Sequence, residues 1–456
     1  MAFGKRQLTL GKLKIVLFLV VATEAMWMSY RLVNDRRVVE GIEDIAYEDG
    51  TQEVIQFLKE RDDGFYRIDK QYYSASYCDA LYQNYYGAVA YKGATGERNL
   101  TARFYTELFL PLSYNKHVSL GFQGDTGINT LMNMKYIISK NGMIQNFGYK
   151  YVDTIGDKEV YENEYALPIA VPYDTYITEE EFTEMNLLER RQNFYQAAVL
   201  EDDVSETEIE EMEADDLHTT DLEEYEISFR KEKRENGVTI KFPAISDSEV
   251  VVIKASIFAE KIDSEKGEDI FNCFYSDSEE VGSVTYGLQE GTHDYFFEFN
   301  GEDINSVRIR ANEKMKVKKL HVYVLPQEKY YENYIKQAKE WQKEGLQNIT
   351  YQDNSITGDI TADKKKLLVF SVPYDEAFKL YVDGEEQEVL VANIGFMAGW
   401  IEEGNHQVEL KYEPEYPYVN VTIAVSALYV VYFIYYSVRG RKRENEKDIS
   451  GSSGVQ

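Results

Sequence analysis

Cysteine and histidine, the residues that most often serve as metal ligands and nucleophiles, are scarce in this 456-residue sequence: two Cys and five His. His117, His218, His293, His321 and His406 stand without metal-ligand spacing, and no HExxH pair occurs. His321 and His406 fall on alternating apolar stretches and read as surface or edge residues. Cys78 and Cys273 lie far apart, too few for a disulfide framework, and allow a single bridge at most. A GxSxG elbow, a P-loop and a dinucleotide-binding glycine fingerprint are all missing. The glycine-rich Gly121–Gly127 (GFQGDTG) neither follows a clear strand nor opens a clear helix, so it reads as a plain turn. The sequence therefore predicts no catalytic residue, no cofactor and no metal ion. Positive charge is also short, with 49 Lys and Arg against 80 Asp and Glu, a net charge of −31. With no basic stripe, such a chain repels phosphate backbones, which excludes nucleic acid as a partner.

Long apolar runs are limited to two. Tyr418–Val438 (YVNVTIAVSALYVVYFIYYSV) carries no Asp, Glu, Lys or Arg and is followed at once by RGRKR. Its length suits a hydrocarbon core of roughly 30 Å, and the basic residues after it predict a cytoplasmic C-terminus. Ile15–Tyr30 (IVLFLVVATEAMWMSY) is shorter and holds Glu24, but Lys12, Lys14 and Arg31 can snorkel and extend the span to 13–33. The rival reading of this segment is a cleaved signal peptide; Thr23-Glu24-Ala25 is a poor cleavage site and favours a retained anchor. A carboxylate within a membrane helix is a functional-site candidate, so Glu24 is one; the alternative places it at the outer interface or against a helix of another chain. Both flanks are basic, so both tails (1–12 and 439–456) are expected in the cytoplasm and residues 34–416 outside it.

Between the anchors the pattern changes several times. Residues 34–60 read as a helical connector with Val54, Ile55, Phe57 and Leu58 on one face. Residues 61–175 read as a small α/β domain with strands at Met134–Ser139, Lys158–Tyr161 and Leu167–Tyr173. Residues 176–224 form an acidic helical linker; 14 of the 26 residues of Glu201–Glu226 are Asp or Glu. A run this dense reads as a solvated linker or frayed helix, because the D-x-D-x-D-G spacing of a calcium loop is absent. Over 225–326 the stretches GVTIKF, EVVVIKASIFA, SVTYGL, DYFFEF, SVRIRA and LHVYVL alternate or run apolar between turns, predicting a β-sandwich or jelly-roll. A helix over 327–346 leads to a second β domain over 347–415, with Asp383-Gly384 as a hairpin turn, and then to the anchor at 416–438. The expected fold is an α+β membrane protein, two transmembrane helices flanking a large extracytoplasmic region.

Tyrosine is abundant, with 38 residues. A cluster at Tyr72, Tyr73, Tyr77, Tyr82, Tyr85, Tyr86 and Tyr91 has two readings. Its rings pack a core and interfaces, as tyrosine commonly does, or some of them stack on sugar rings. Tyr72, Tyr73, Tyr85 and Tyr86 are the glycan-stacking candidates.

Several strings resemble the YfhO family of bacterial membrane proteins: GFYRID at 64–69, LMNMKYIIS at 131–139, VYENEYALPIAVPYD at 160–174, SVPYDEAFKLYVDGEEQEV at 371–389 and NIGFMAGWIEEGNHQVELKY at 393–412. They follow the order of that family's C-terminal, extracytoplasmic part. The resemblance implies a bacterial cell-membrane protein linked to glycosylation of cell-wall polymers such as lipoteichoic acid. Family members carry a polytopic, GT-C-like membrane core that uses a lipid-linked sugar donor. That core, and the outer loop where such enzymes keep their acidic residues, find no match here, so the resemblance supplies no catalytic position. It implies a non-catalytic accessory ectodomain whose partners are the membrane, a polytopic glycosyltransferase-like protein and a cell-wall glycan. The alternatives are one part of a split or degenerate glycosyltransferase, and a truncated, inactive product.

Overall fold

Alternating β-branched and aromatic residues dominate the chain, and strands dominate the computed structural model. It describes residues 18, 23–28, 49–72, 74, 79–87, 89–91, 118–120, 125–140, 147–201, 209–234, 237–260, 269–310, 315–352, 354–414, 424, 427–435 and 439. This corrects the expected α+β membrane architecture. The described residues are mostly strand, their helices are short, and none is long and apolar enough to cross a membrane. The expected anchors fall largely outside the described residues; 23–28 and 427–435 are helical, with exposed side chains. The physical reason for the shift toward β is the apolar pattern, which over 134–412 is mostly short runs or alternating stretches between turns and reaches a helical period only in short segments.

One such stretch is Thr51–Arg61, where Thr51, Val54, Ile55 and Leu58 are buried at i, i+3, i+4 and i+7. These apolar residues meet Tyr66, Ile68, Tyr136, Ile138 and Val160 on a four-stranded sheet ordered Arg67–Lys70, Met134–Ser139, Lys158–Asn163, Tyr149–Ile155. Its first pair is parallel and the others antiparallel.

A seven-stranded sheet then joins distant parts of the chain. Glu210–Glu211, Thr175–Thr178, Ala198–Leu200 and Ala170–Tyr173 share it with Leu390–Ala392, Phe396–Ile401 and Lys366–Pro373. Ala170–Tyr173 pairs with Lys366–Pro373 along Leu367↔Tyr173 to Phe370↔Ala170. The acidic linker read over 176–224 holds the helices Glu179–Glu184 and Leu187–Asn193. Its densest part, Glu201–Glu226, contributes an edge strand and two single turns, Ala214–Asp216 and Glu223–Tyr225, and no α-helix among its described residues. Like charges at i,i+4 disfavour a helix there, while Ile209 and Leu222 anchor the stretch to the core.

The intervening residues 230–326 form a sandwich. Its five-stranded sheet is ordered Arg230–Arg234, Gly237–Lys241, Ile304–Arg310, Asp269–Ser276, Glu279–Gly287, and its three-stranded sheet Gly291–Asn300, Glu249–Ala259, Met315–Pro326. Phe274, Phe297, Phe299, Val251 and Ile253 fill the space between them. The three-stranded sheet is buried on both faces: Phe296, Val250, Val252 and Leu325 point away from the sandwich into the central core. Cys273 is a buried free thiol within the sandwich; Cys78 lies outside the described residues.

A last sheet, Gln347–Tyr351, Ser355–Ala362, Gly404–Tyr412, Phe378–Val382, Glu385–Gln387, packs on the seven-stranded sheet through Ile360, Leu380, Val408 and Leu410 against Ile169, Leu368, Phe370 and Met397. The Asp383-Gly384 turn has φ of 53° and 85°, both positive as a two-residue hairpin turn requires.

Candidate functional site

The segment Gly64–Asp69 positions a site where the four-stranded sheet meets the C-terminal sheet. Its side chains divide by strand alternation and by the neighbours that each side meets. Tyr66 and Ile68 enter the core beside Tyr136, with the Tyr66 and Tyr136 rings 4.9 Å apart. Burial, with the nearby Asp62 charge, pushes the Tyr66 phenol up to about 12. Arg67 turns the other way. Its Nη1 donates to the Met132 carbonyl at 2.7 Å and to Ser371 Oγ at 3.1 Å, and its Nη2 to the Ser371 carbonyl at 2.7 Å. Asp69 is buried, and desolvation pushes its carboxyl up to about 6 against a hydrogen bond from Gln71 that lowers it.

Phe65 lies under the Arg67 guanidinium, 5.4 Å from carbon to ring centroid, and packs against the C-terminal core. Two exposed rings flank it. Tyr86 is 4.9 Å away and tilted by 42°, Tyr351 is 5.8 Å away and edge-on at 76°, and Tyr86 and Tyr351 are 5.9 Å apart. Tyr86 is 49% exposed and Tyr351 42%. The result is a three-ring face open to solvent. Tyr86 is held from behind, where its carbonyl accepts from the Ile68 N–H at 2.8 Å. Gly87 beside it admits no larger residue easily, since an added Cβ would sit 2.9 Å from Ala80 Cβ. Aromatic faces of this kind offer CH–π contact to the apolar side of a ring-shaped ligand while their hydroxyls stay in water.

The other sequence candidates separate. Tyr72 is enclosed by ammonium groups: Lys70, Lys140 and Lys158 Nζ lie 4.6, 4.7 and 5.9 Å from its centroid, and its hydroxyl meets Thr51 Oγ1 at 2.7 Å. Lys70 in turn pairs with Asp79 at 2.7 Å with both side chains buried, and burial lowers its pKa. Ser74 Oγ donates to Asp49 Oδ2 at 2.5 Å. Burial raises the Asp49 carboxyl, but hydrogen bonds from Ser74 and Thr51 outweigh it and leave the group below its ordinary value. Tyr72 and Tyr85 both pack on the core beneath the helix Thr51–Arg61, and burial drives both phenols above their usual range. Neither ring is presented as a platform. Glu24 is exposed on the helical stretch 23–28, and Tyr73 lies outside the described residues. Of the four tyrosines, the structure places Tyr86 on the open face. Phe65 and Tyr351, absent from the sequence candidates, complete it. Phe65 was within the GFYRID string, whereas the only sign of Tyr351 is an outward position at the end of an edge strand.

Sheets joined edge to edge and face to face, with exposed aromatic rings on one junction, define a mostly-β protein that presents a surface. The family is shown by sequence: the chain belongs to the family described as bacterial membrane protein YfhO, whose model matches residues 4–264 and 297–426. It is 22% identical over 409 residues to the uncharacterized protein YfhO of Bacillus subtilis (strain 168), an alignment covering 84% of this chain and 45% of that protein. The chain thus spans less than half of that relative's length. Among solved structures, it is similar to the C-terminal CBM6 of LamC, a marine laminarinase from Zobellia galactanivorans, at 12% identity over 22% of this chain and 94% of that one, with a TM-score of 0.15. It is similar also to the arabinofuranosyltransferase AftD from Mycobacteria, at 6% identity over 41% of this chain and 21% of that one, with a TM-score of 0.14. Overlaps this low carry no weight for the function of this chain.

Proposed function

We propose that this YfhO-family protein is a non-catalytic component of cell-wall polymer glycosylation, of the lipoteichoic acid type, and holds a neutral glycan on the Phe65–Tyr86–Tyr351 face. In this reading it sits in the bacterial cell membrane with 34–416 outside, beside a polytopic glycosyltransferase-like protein that performs the transfer. The observation that carries the reading is the solvent-open arrangement of Tyr86 and Tyr351 around Phe65. The strong negative charge of the chain supports a neutral glycan over an anionic one, since like charges oppose association.

The test uses the full chain in nanodiscs with soluble neutral gluco-oligosaccharides. Tyr86→Ala and Tyr351→Ala are each expected to weaken binding about tenfold, equivalent to ~1.4 kcal/mol, with Tyr72→Phe unchanged. Unaltered binding in the first two variants, or sugar transfer by the isolated chain, overturns the reading.

A further inference from the structure

A second constellation lies at the central core, where the outer face of the sandwich meets four helices, Thr126–Leu131, Leu187–Asn193, Gln327–Tyr330 and Glu332–Glu344. Strand alternation along Gly291–Asn300 sends Phe297 and Phe299 into the sandwich and Glu298 out of it. The Glu298 carboxylate accepts from the Tyr330 hydroxyl at 2.9 Å and the Tyr331 hydroxyl at 3.3 Å. Asp125 caps the helix Thr126–Leu131, its Oδ1 accepting from the Ile128 N–H at 3.0 Å. Its Oδ2 faces Arg191 Nε from the helix Leu187–Asn193 at 3.2 Å, with both side chains about nine-tenths buried. That contact is one of charge alone: neither Asp125 Oδ2 nor Arg191 Nε has a hydrogen-bond partner, and both are buried. A cavity of about 50 Å³ remains between Asp125, Arg191, Tyr195, Glu298, Tyr330 and Tyr334.

A cluster serving only to join two layers closes its volume and pairs its buried polar atoms. This one leaves volume open, and its Asp125–Arg191 ion pair leaves both facing atoms without a hydrogen bond. The space suffices for about three water-sized groups, too little for a whole sugar ring and enough for one edge of it. The lining narrows the chemistry. Two carboxylates against one guanidinium disfavour an anion, and Arg191 already fills the cationic position. An apolar group would leave Asp125 Oδ2 and Arg191 Nε with each other's charge but no hydrogen bond. Groups that both donate and accept fit all three requirements: carboxylates take their protons, the guanidinium gives to their lone pairs, and tyrosine hydroxyls do either. Burial, ahead of the Asp125 charge, pushes Glu298 up to about 7, so near neutrality it can also donate.

We propose that the cavity between Asp125, Arg191 and Glu298 binds the vicinal hydroxyl edge of a neutral sugar unit. The proposal extends the glycan-binding reading above to a separate site. It is tested by saturation-transfer NMR on the full chain in nanodiscs. The probes are methyl α-glucoside, methyl α-galactoside, methyl α-mannoside and, as an anionic control, inorganic phosphate. At least one glycoside is expected to bind and phosphate not to. Arg191→Met and the isosteric Glu298→Gln should each weaken glycoside binding at least about tenfold, while Tyr72→Phe, outside both sites, leaves it intact. Near-UV circular dichroism checks that the variants keep their packing, and Glu298→Gln tests the site even where Arg191→Met fails to fold. Binding of none of the glycosides, binding of phosphate instead, or binding indifferent to Glu298→Gln overturns the assignment. Oligosaccharide binding that depends on Tyr86 and Tyr351 but not on Glu298 leaves the reading of the aromatic face standing and removes the cavity site alone.

Discussion

Arg67 and Ser371, 304 positions apart in the chain, are joined twice, by Nη2 to the Ser371 carbonyl at 2.7 Å and by Nη1 to its hydroxyl at 3.1 Å. The same Nη1 reaches the Met132 carbonyl. One guanidinium thus ties the four-stranded sheet to the seven-stranded sheet and lies over Phe65, which begins the exposed aromatic face. Arg67→Met is expected to cost on the order of 2–4 kcal/mol in urea unfolding, because it strands part-buried acceptors at Met132 and Ser371. Arg67→Lys should recover only part of this, since an ammonium lacks the planar fork that reaches Ser371 twice. A loss below about 0.5 kcal/mol in Arg67→Met contradicts the pinning role.

Tyr72 and Tyr86 are predicted to behave oppositely. Tyr72→Phe removes the hydroxyl contact with Thr51 and keeps the ring among Lys70, Lys140 and Lys158, so it should cost about 1 kcal/mol of stability and leave glycan binding untouched. Tyr86→Ala should do the reverse, lowering binding with little change in the denaturation midpoint, because its ring is half exposed. Thermal melts paired with binding isotherms for the two variants decide it.

Asp69 makes stability depend on pH. Its carboxyl is raised from 3.8 to about 6 in the folded chain by burial. A raised carboxyl favours the folded state fully below the unfolded pKa and loses that advantage as pH climbs toward the folded one. The window is therefore about pH 4 to 6. Asp69→Asn removes this titration. Relative to the parent chain, the variant should gain on the order of 2–3 kcal/mol between pH 3.5 and pH 7.5. Chemical denaturation at the two pH values measures the gain, and a difference independent of pH rules the mechanism out.

Strands were legible in the sequence and their partners were not. Met134–Ser139 and the Asp383-Gly384 turn stand where alternation and turn chemistry put them. Each depends on residues a few positions apart. The pairing of Ala170–Tyr173 with Lys366–Pro373 depends on two apolar stretches finding each other across an intervening sandwich, and nothing in either stretch encodes that choice. The same limit applied to the aromatic face. Tyr86 stood out because tyrosines cluster near it, whereas Tyr351 reaches it only through the packing of another sheet. Glu298 was hidden further: within DYFFEF it reads as a solvent-facing position, and it is part-buried because both faces of its sheet are covered. The membrane helices expected over 13–33 and 416–438 were inferred from composition and span largely undescribed residues, so the α+β expectation gave way to the strands.

The edge of the seven-stranded sheet supplies the last prediction. Ala170–Tyr173 is an edge strand, which accommodates Pro172 because no ladder N–H is needed on the open side. The helix Glu332–Glu344 covers that edge. Trp341 Nε1–H donates to the Pro172 carbonyl at 2.8 Å, and the Leu346 N–H to the Ala170 carbonyl at 3.0 Å. Gly345 allows the approach, since a Cβ there would fall 2.9 Å from the Ala170 carbonyl oxygen and 2.7 Å from that of Trp341. Trp341→Phe should cost roughly 2–4 kcal/mol, combining a lost buried hydrogen bond with unfilled volume between Tyr173 and Tyr195. Gly345→Ala should destabilise by a comparable route without removing any side chain, by pushing the helix end off the strand and off Pro168. Hydrogen exchange at Leu346 reads both: faster exchange in each variant is expected, and unchanged protection in Gly345→Ala would mean that the helix does not seal this edge.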